Sequence, residues 1–333
     1  MMTGKERFLR VVRGEEVDRV PVFPLLMFLA ADRAGISYRE FATNGEAFAE
    51  AQVLCRDRFG LDAITACSDA FRISADLGGE MAYPESKPPY LVEPIVNSES
   101  DLARLGRPDP TRGRMGDRVR AVSAMARAAG DETAVLGWVE MPFAEACDWV
   151  GLTNFMLLLV DAPELAHRIL EKATELNIEF AFAQMDAGAD MIGAGDAAAS
   201  LISNEMFREF ALPYERRVCD EIHSRGGLVK LHICGNTTDL LESMAESDAD
   251  LFNVDHMVPL KQARDVYAAA GKSYKGNLDP VAEMMQATPE ECRAKARECI
   301  ELARGTKYML SAGCEIPAET PDEVFRAFCE SVR

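Results

Sequence analysis

Eight short apolar runs recur along this chain, and each is followed by a longer amphipathic stretch. They fall at 19–25, 62–67, 133–138, 189–195, 227–233, 251–255, 273–277 and 307–313, mostly bounded by Gly, Asp or Asn. Short apolar runs of this kind are what parallel strands look like when helices cover the sheet. Strand–helix alternation predicts an α/β fold, and eight units predict a single closed (β/α)8 TIM barrel spanning residues 1–333. The residues before 19 form an N-terminal extension. The stretch 70–130, with "YPESKPPYLVEP" and "RPDPTRGR", reads as a long excursion between the second and third strands. No strand is followed by a Gly-x-Gly-x-x-Gly turn or a P-loop, so nucleotide-binding folds gain no support.

A net charge of −19 and a pI near 4.7 exclude the basic footprint that nucleic acid requires. No run approaches the length of a membrane span, and "MMTGKERFLRVVRGEE" holds no apolar core of signal-peptide length. The nine cysteines show no framework spacing. Together these features predict a cytoplasmic protein whose cysteines are free thiols or metal ligands.

In a barrel the active site gathers at the C-terminal ends of the strands. Read in chain order, those positions carry Ser68 and Asp69, Trp138 and Glu140, Asp196, His232 and Cys234, Asp255 and His256, Asn277 and Asp279, and Cys314 and Glu315. His232 and Cys234 stand two apart in "KLHICGN", so on an extended strand they share one face. Cys314 follows the eighth strand and can reach them across the barrel mouth. Imidazole plus two thiolates is a zinc donor set, and three protein ligands leave a position for substrate. The remaining cysteines fall mostly on helical patterns, where a free cysteine is an ordinary core residue. His167 and His223 sit in amphipathic helices, and Asp279-Pro280 has the form of a helix N-cap followed by proline.

The blocks "VPVFPLL", "SDAFRISADLGGE", "EMPFAEAC", "SNEMFREFALPYERRV", "KLHICGNTTDLLE", "GNLDP" and "SAGCEIPAETPDEV" resemble, in order, those of the uroporphyrinogen decarboxylase superfamily. The resemblance covers roughly residues 4–330 and implies a (β/α)8 barrel. Decarboxylases proper carry an Arg-Gln-Ala-Gly-Arg-Tyr block after the first strand; here that region reads "PLLMFLAADRAGISYREF". They also place a histidine in a turn after the last strand, where this chain has Cys314. Asp69 matches an aspartate of the decarboxylases and does not discriminate.

The chain is more similar to the methylcobamide:thiol methyltransferase branch, including the coenzyme M methyltransferases. That resemblance implies one catalytic Zn2+ on His232, Cys234 and Cys314. It also implies a methyl-corrinoid co-substrate carried by a partner protein, and a small thiol acceptor. Asp69, Asp196, Glu140, Glu315 and Asn277 are then the candidates for catalysis or substrate binding. A coenzyme M acceptor needs a cation for its sulfonate, and no Arg or Lys stands out at the strand ends. Three other readings remain: demethylation of a methylated donor, metal-free decarboxylation, and non-catalytic corrinoid or metal binding.

Overall fold

The structure is a computed structural model, and residues 2–333 are described. Seven parallel strands form one curled sheet: β1 (Ala63–Thr65), β4 (Ala134–Glu140), β5 (Met191–Gly195), β6 (Val229–His232), β7 (Leu251–Asn253), β8 (Ser273–Leu278) and β9 (Tyr308–Ala312). They are hydrogen-bonded in that order, and the strands β2 (Met81–Ala82) and β3 (Tyr90–Leu91) make a separate antiparallel pair. The result is a TIM-barrel-like α/β fold. Every strand of the curled sheet coincides with one of the apolar runs.

The run at 19–25 behaves differently. Pro21 and Pro24 lack an N–H, so a continuous ladder cannot form there. What remains are isolated bridges, Val22 to Leu310 and Leu25 to Glu315. The segment still touches both edges of the sheet. Leu310 N donates to Pro21 O, Phe23 N donates to Leu310 O, and Asp62 N, just before β1, donates to Val22 O.

Between β1 and β4 the stretch 70–130 holds the helix Arg72–Asp76, the β2–β3 pair, the helix Glu99–Arg104 and the long helix Gly113–Ala129. The apolar sequence "LTNFMLLLVD" forms its own helix, Leu152–Asp161, before the helix Pro163–Asp186. The break falls at Ala162 because a residue preceding proline is pushed out of helical geometry. Pro213 similarly marks a division between the helices Asn204–Phe210 and Leu212–Ser224. No single helix is long and apolar enough to cross a membrane.

The helix Gly4–Arg13 closes one end of the sheet. The Thr3 side chain accepts from Glu6 N to start it, and Gly14, at φ 76°, ends it in left-handed geometry. Phe8, Val11 and Val12 pack against Phe23, Ala63, Ala134, Leu136, Met191, Leu251 and Met309. Several of these open their strands, so this cluster is a plug beneath the N-terminal face. Arg7 Nη1 and Arg19 Nη1 both pair with the buried Asp62 carboxylate, at 2.5 and 2.7 Å, which ties the plug to the sheet. The opposite face is left to the loops after the strands.

Candidate metal centre

β6 ends at His232, and Cys234 follows two residues on. Their chain is turned by Gly235, whose φ of 91° suits glycine and whose N–H donates to Asp255 Oδ2 at 3.0 Å. Cys314 arrives from the loop after β9. Asn253 at the end of β7 secures that loop, donating from Nδ2 to Gly313 O at 2.7 Å. The ends of β6, β7 and β9 therefore fix where the two sulfurs point.

The three ligand atoms lie within 4.8 Å of one another. Cys234 Sγ to Cys314 Sγ is 3.7 Å, and Cys314 Sγ to His232 Nε2 is 3.6 Å. With Zn–S near 2.3 Å and Zn–N near 2.0 Å, a tetrahedral site has edges of about 3.8 Å between sulfurs and about 3.6 Å between sulfur and nitrogen. Two edges match, and the third, Cys234 Sγ to His232 Nε2 at 2.9 Å, is shorter. His232 is buried, and its Nδ1 has no partner among the described residues. The hydrogen bond from Cys234 draws the Cys314 thiol down to about 3 and pushes Cys234 up, so the pair favours one thiolate beside one thiol. The donor set fits a thiophilic ion such as zinc.

A row of residues runs sideways from this triad. Glu140 on β4 is in register with Gly195 on β5, and Gly195 is in register with His232. A Cβ on Gly195 would stand 2.6 Å from Glu140 Oε2, so the carboxyl occupies the space that the missing side chain leaves. Glu140 Oε1 accepts from Trp138 Nε1 at 2.8 Å. Burial pushes the Glu140 carboxyl up to about 8. Gly193, two residues earlier on β5, similarly makes room for the Trp138 ring.

The other carboxyls of the sequence reading are spread around this centre. Glu315 Oε1 accepts from Phe28 N at 2.5 Å, and burial pushes it up to about 8. Asp69 accepts both from Arg114 Nη2, at 2.7 and 2.8 Å, and from Ser68 Oγ at 2.7 Å. Burial opposes its ionisation, but Arg72 and Arg114 outweigh that and hold it at about 2. Asp196 is fully buried; its side chain accepts from Ala144 N at 2.8 Å, and its N–H donates to His232 O at 2.9 Å. It faces the buried Glu215, and burial raises both carboxyls. Asn277 donates to Asp255 O and Val258 O, which holds the loop after β7. His256 Nδ1 stands 3.0 Å from Asp255 Oδ1, and Asp279 caps the helical turn at Pro280–Met285.

Sequence reasoning passed over the cations. Lys230 is buried with its Nζ 4.6 Å from the Trp138 ring centre, and burial lowers it to about 8. The nearby Cys67, Cys314, Cys234 and Glu140 groups act in the opposite direction. Lys275 is buried on β8 and donates to Phe23 O at 2.7 Å. Arg72 is also buried, donating from Nη2 to Ser68 Oγ at 2.9 Å. Period-two alternation in "VKLH" does put Lys230 on the face of His232, so that residue had a signal. Arg114 lies 45 residues beyond Asp69 and had none.

Comparison with known proteins settles the family. The uroporphyrinogen decarboxylase (URO-D) family model matches residues 3–333. The chain belongs to the uroporphyrinogen decarboxylase family. It is 28% identical to the Methylcobamide:CoM methyltransferase MtbA of Methanosarcina acetivorans, over 99% of this chain and 98% of that one. It is 27% identical to the uroporphyrinogen decarboxylase of Myxococcus xanthus, over 98% of this chain and 95% of that one. Among solved structures it is similar to a methyltransferase from Methanosarcina mazei, with a TM-score of 0.90, 25% identity, and coverage of 99% and 98%.

Proposed function

We propose that this protein is a cytoplasmic, zinc-dependent methyltransferase that moves a methyl group between a corrinoid on a partner protein and a small thiol. We read residues 1–333 as one (β/α)8 barrel, with the segment around Val22 as its first strand. The observation that carries the functional reading is the convergence of His232, Cys234 and Cys314 at one barrel mouth. Similarity over the whole chain to a methylcobamide:CoM methyltransferase supports it.

Zn2+ held by these three residues would supply Lewis acidity that lowers the pKa of a bound thiol toward neutral. The chain's own groups prepare the place for it. Asp255 and Gly235 aim Cys234, Asn253 aims the Cys314 loop, and Lys230 sets a positive charge near both sulfurs. Glu140 and Glu315, both held neutral to about pH 8, border the site without adding charge at neutral pH. Asp69, Asp196 and Asn277 act through the loops and helices they hold. In the transfer, the thiol gives up its proton to solvent and its sulfur lone pair forms the C–S bond. The Co–C electron pair stays on the corrinoid cobalt, which passes from Co(III) to Co(I).

Metal analysis of the purified protein tests the centre. About one zinc per chain is expected, falling at least tenfold in affinity in Cys314→Ala, as loss of one of three ligands requires. Less than about half an equivalent, unchanged by that substitution, overturns the zinc reading. Incubation with methylcobalamin and a thiol panel then follows thioether and Co(I) formation. Methylation of free Co(I) by a methylated donor, with no thiol turned over, reverses the assigned direction.

A further inference from the structure

Charges buried in proteins are normally paired, and Lys230 lacks a fixed anion. It lies on β6 two residues before His232, so both side chains leave the strand on one face. The residue is 1% exposed. Its Nζ stands 4.6 Å from the centre of the Trp138 ring and makes no hydrogen bond or ion pair among the described residues. Gly193, in register with Lys230, makes room for that ring, since a Cβ there would stand 2.6 Å from Trp138 Cε3. An indole face attracts a cation without neutralising it. The carboxyls of the site have other donors. Glu140 accepts from Trp138 Nε1, Asp69 from Arg114 and Ser68, and Asp255 from Gly235 N and Met257 N. Lys275, also buried, has an acceptor in Phe23 O. Cys234 and Cys314 lie near enough to Lys230 for their charge to favour its ammonium.

We infer that Lys230 is the counter-ion of the anion that enters the open position of the metal centre, and that it favours a thiolate over a thiol there. The inference rests on the zinc-dependent reading above and assigns one residue a part in it. Charge counting gives the reason. Zn2+ on two thiolates and a neutral imidazole sums to zero, so the centre without substrate offers Lys230 no net partner. A thiol that binds as its thiolate, with the proton passing to solvent, brings the centre to one negative charge. In that state the buried ammonium is matched. Transfer of the methyl group then turns the thiolate sulfur into a neutral thioether, and the match is lost. The same lysine therefore favours entry of the substrate and release of the product.

Lys230→Met tests this by metal analysis and by ligand titrations of cobalt(II)-substituted protein, followed through its absorption bands. The probes are 2-mercaptoethanol, whose tail is uncharged, thiocyanate as a second anion, and imidazole as a neutral ligand. Zinc is expected to stay at about one per chain. At pH 7 both anions should bind about tenfold more weakly, or worse, as loss of a unit charge several ångströms away requires. Imidazole affinity should not change. Lys230→Gln is expected to show the same pattern and serves if the methionine variant does not fold. An equal loss for all three ligands makes Lys230 a packing residue and overturns the inference. Unchanged anion binding overturns it too, as does loss of zinc, which assigns the lysine to Cys234 and Cys314 alone. Weakened thiocyanate binding in a protein that ligates no thiol keeps the counter-ion and removes the thiol reading. A cobalt spectrum indifferent to every ligand removes both.

Discussion

Cys314 and His232 are separated by 82 residues, yet their ligand atoms approach to 3.6 Å. The sequence discloses such pairs only because both sit at strand ends, and a parallel barrel brings all strand ends to one face. The same logic, carried along each strand, reaches Lys230 from His232. It does not reach Arg114 or Arg72, whose places depend on how a connecting segment folds back. Gly195 is legible in the opposite sense, as a residue whose importance lies in what it lacks. Gly195→Val is expected to displace Glu140, since even a Cβ there would stand 2.6 Å from Oε2 and 3.2 Å from the Trp138 ring. The variant should keep its zinc, measured by mass spectrometry, and bind thiols at least tenfold more weakly by calorimetry. Unchanged thiol affinity would show that the placement of Glu140 has no part in thiol binding.

At the scale of elements, the helix Pro142–Val150 carries two acids beside β4, Glu145 buried and Asp148 half-buried. Glu145 Oε1 accepts from Trp149 Nε1 at 2.7 Å and from Ser74 Oγ at 3.3 Å, but burial dominates and pushes the carboxyl up to about 7. A carboxyl raised from 4.5 to about 7 binds more protons folded than unfolded between those values. Its contribution is therefore present at acid pH and lost as pH rises from about 4.5 through 7. At 1.36 kcal/mol per unit, the loss amounts to about 3 kcal/mol by pH 8. Glu145→Gln keeps acceptors for Trp149 and Ser74 without the charge. Its stability should fall less than the wild type's between pH 5 and 8, by most of that margin, in denaturant titrations at the two values. A parallel fall in both proteins would refute the assignment. Seven strands were legible because buried parallel strands are short and apolar. The run at 19–25 reads the same way but carries two prolines, and these leave it only bridges. The helix Leu152–Asp161 escaped notice because an apolar run of that length fits helix and strand alike.

For the molecule as a whole, the fold class follows from the strand count, but the use of the first residues does not. Phe8, Val11 and Val12 show helical spacing, and an amphipathic pattern does not name the surface it covers. The structure shows that surface to be the opening beneath the strands. Phe8 is fully buried there, so Phe8→Ala is expected to cost about 3–5 kcal/mol in unfolding free energy. The candidate metal centre lies at the opposite end, so the zinc content proposed for it should be the same in the folded fraction of both proteins. A cost below about 1 kcal/mol would mean that the plug collapses readily onto the gap.

That plug also governs traffic. A vessel stoppered at its base has one doorway, and under the proposed transfer both reactants must use it. The thiol is small and must lie inside before the corrinoid, with the protein that carries it, covers the threshold. The thioether in turn leaves only after that carrier withdraws. Under that proposal the expected order is thiol in, corrinoid on, corrinoid off, thioether out.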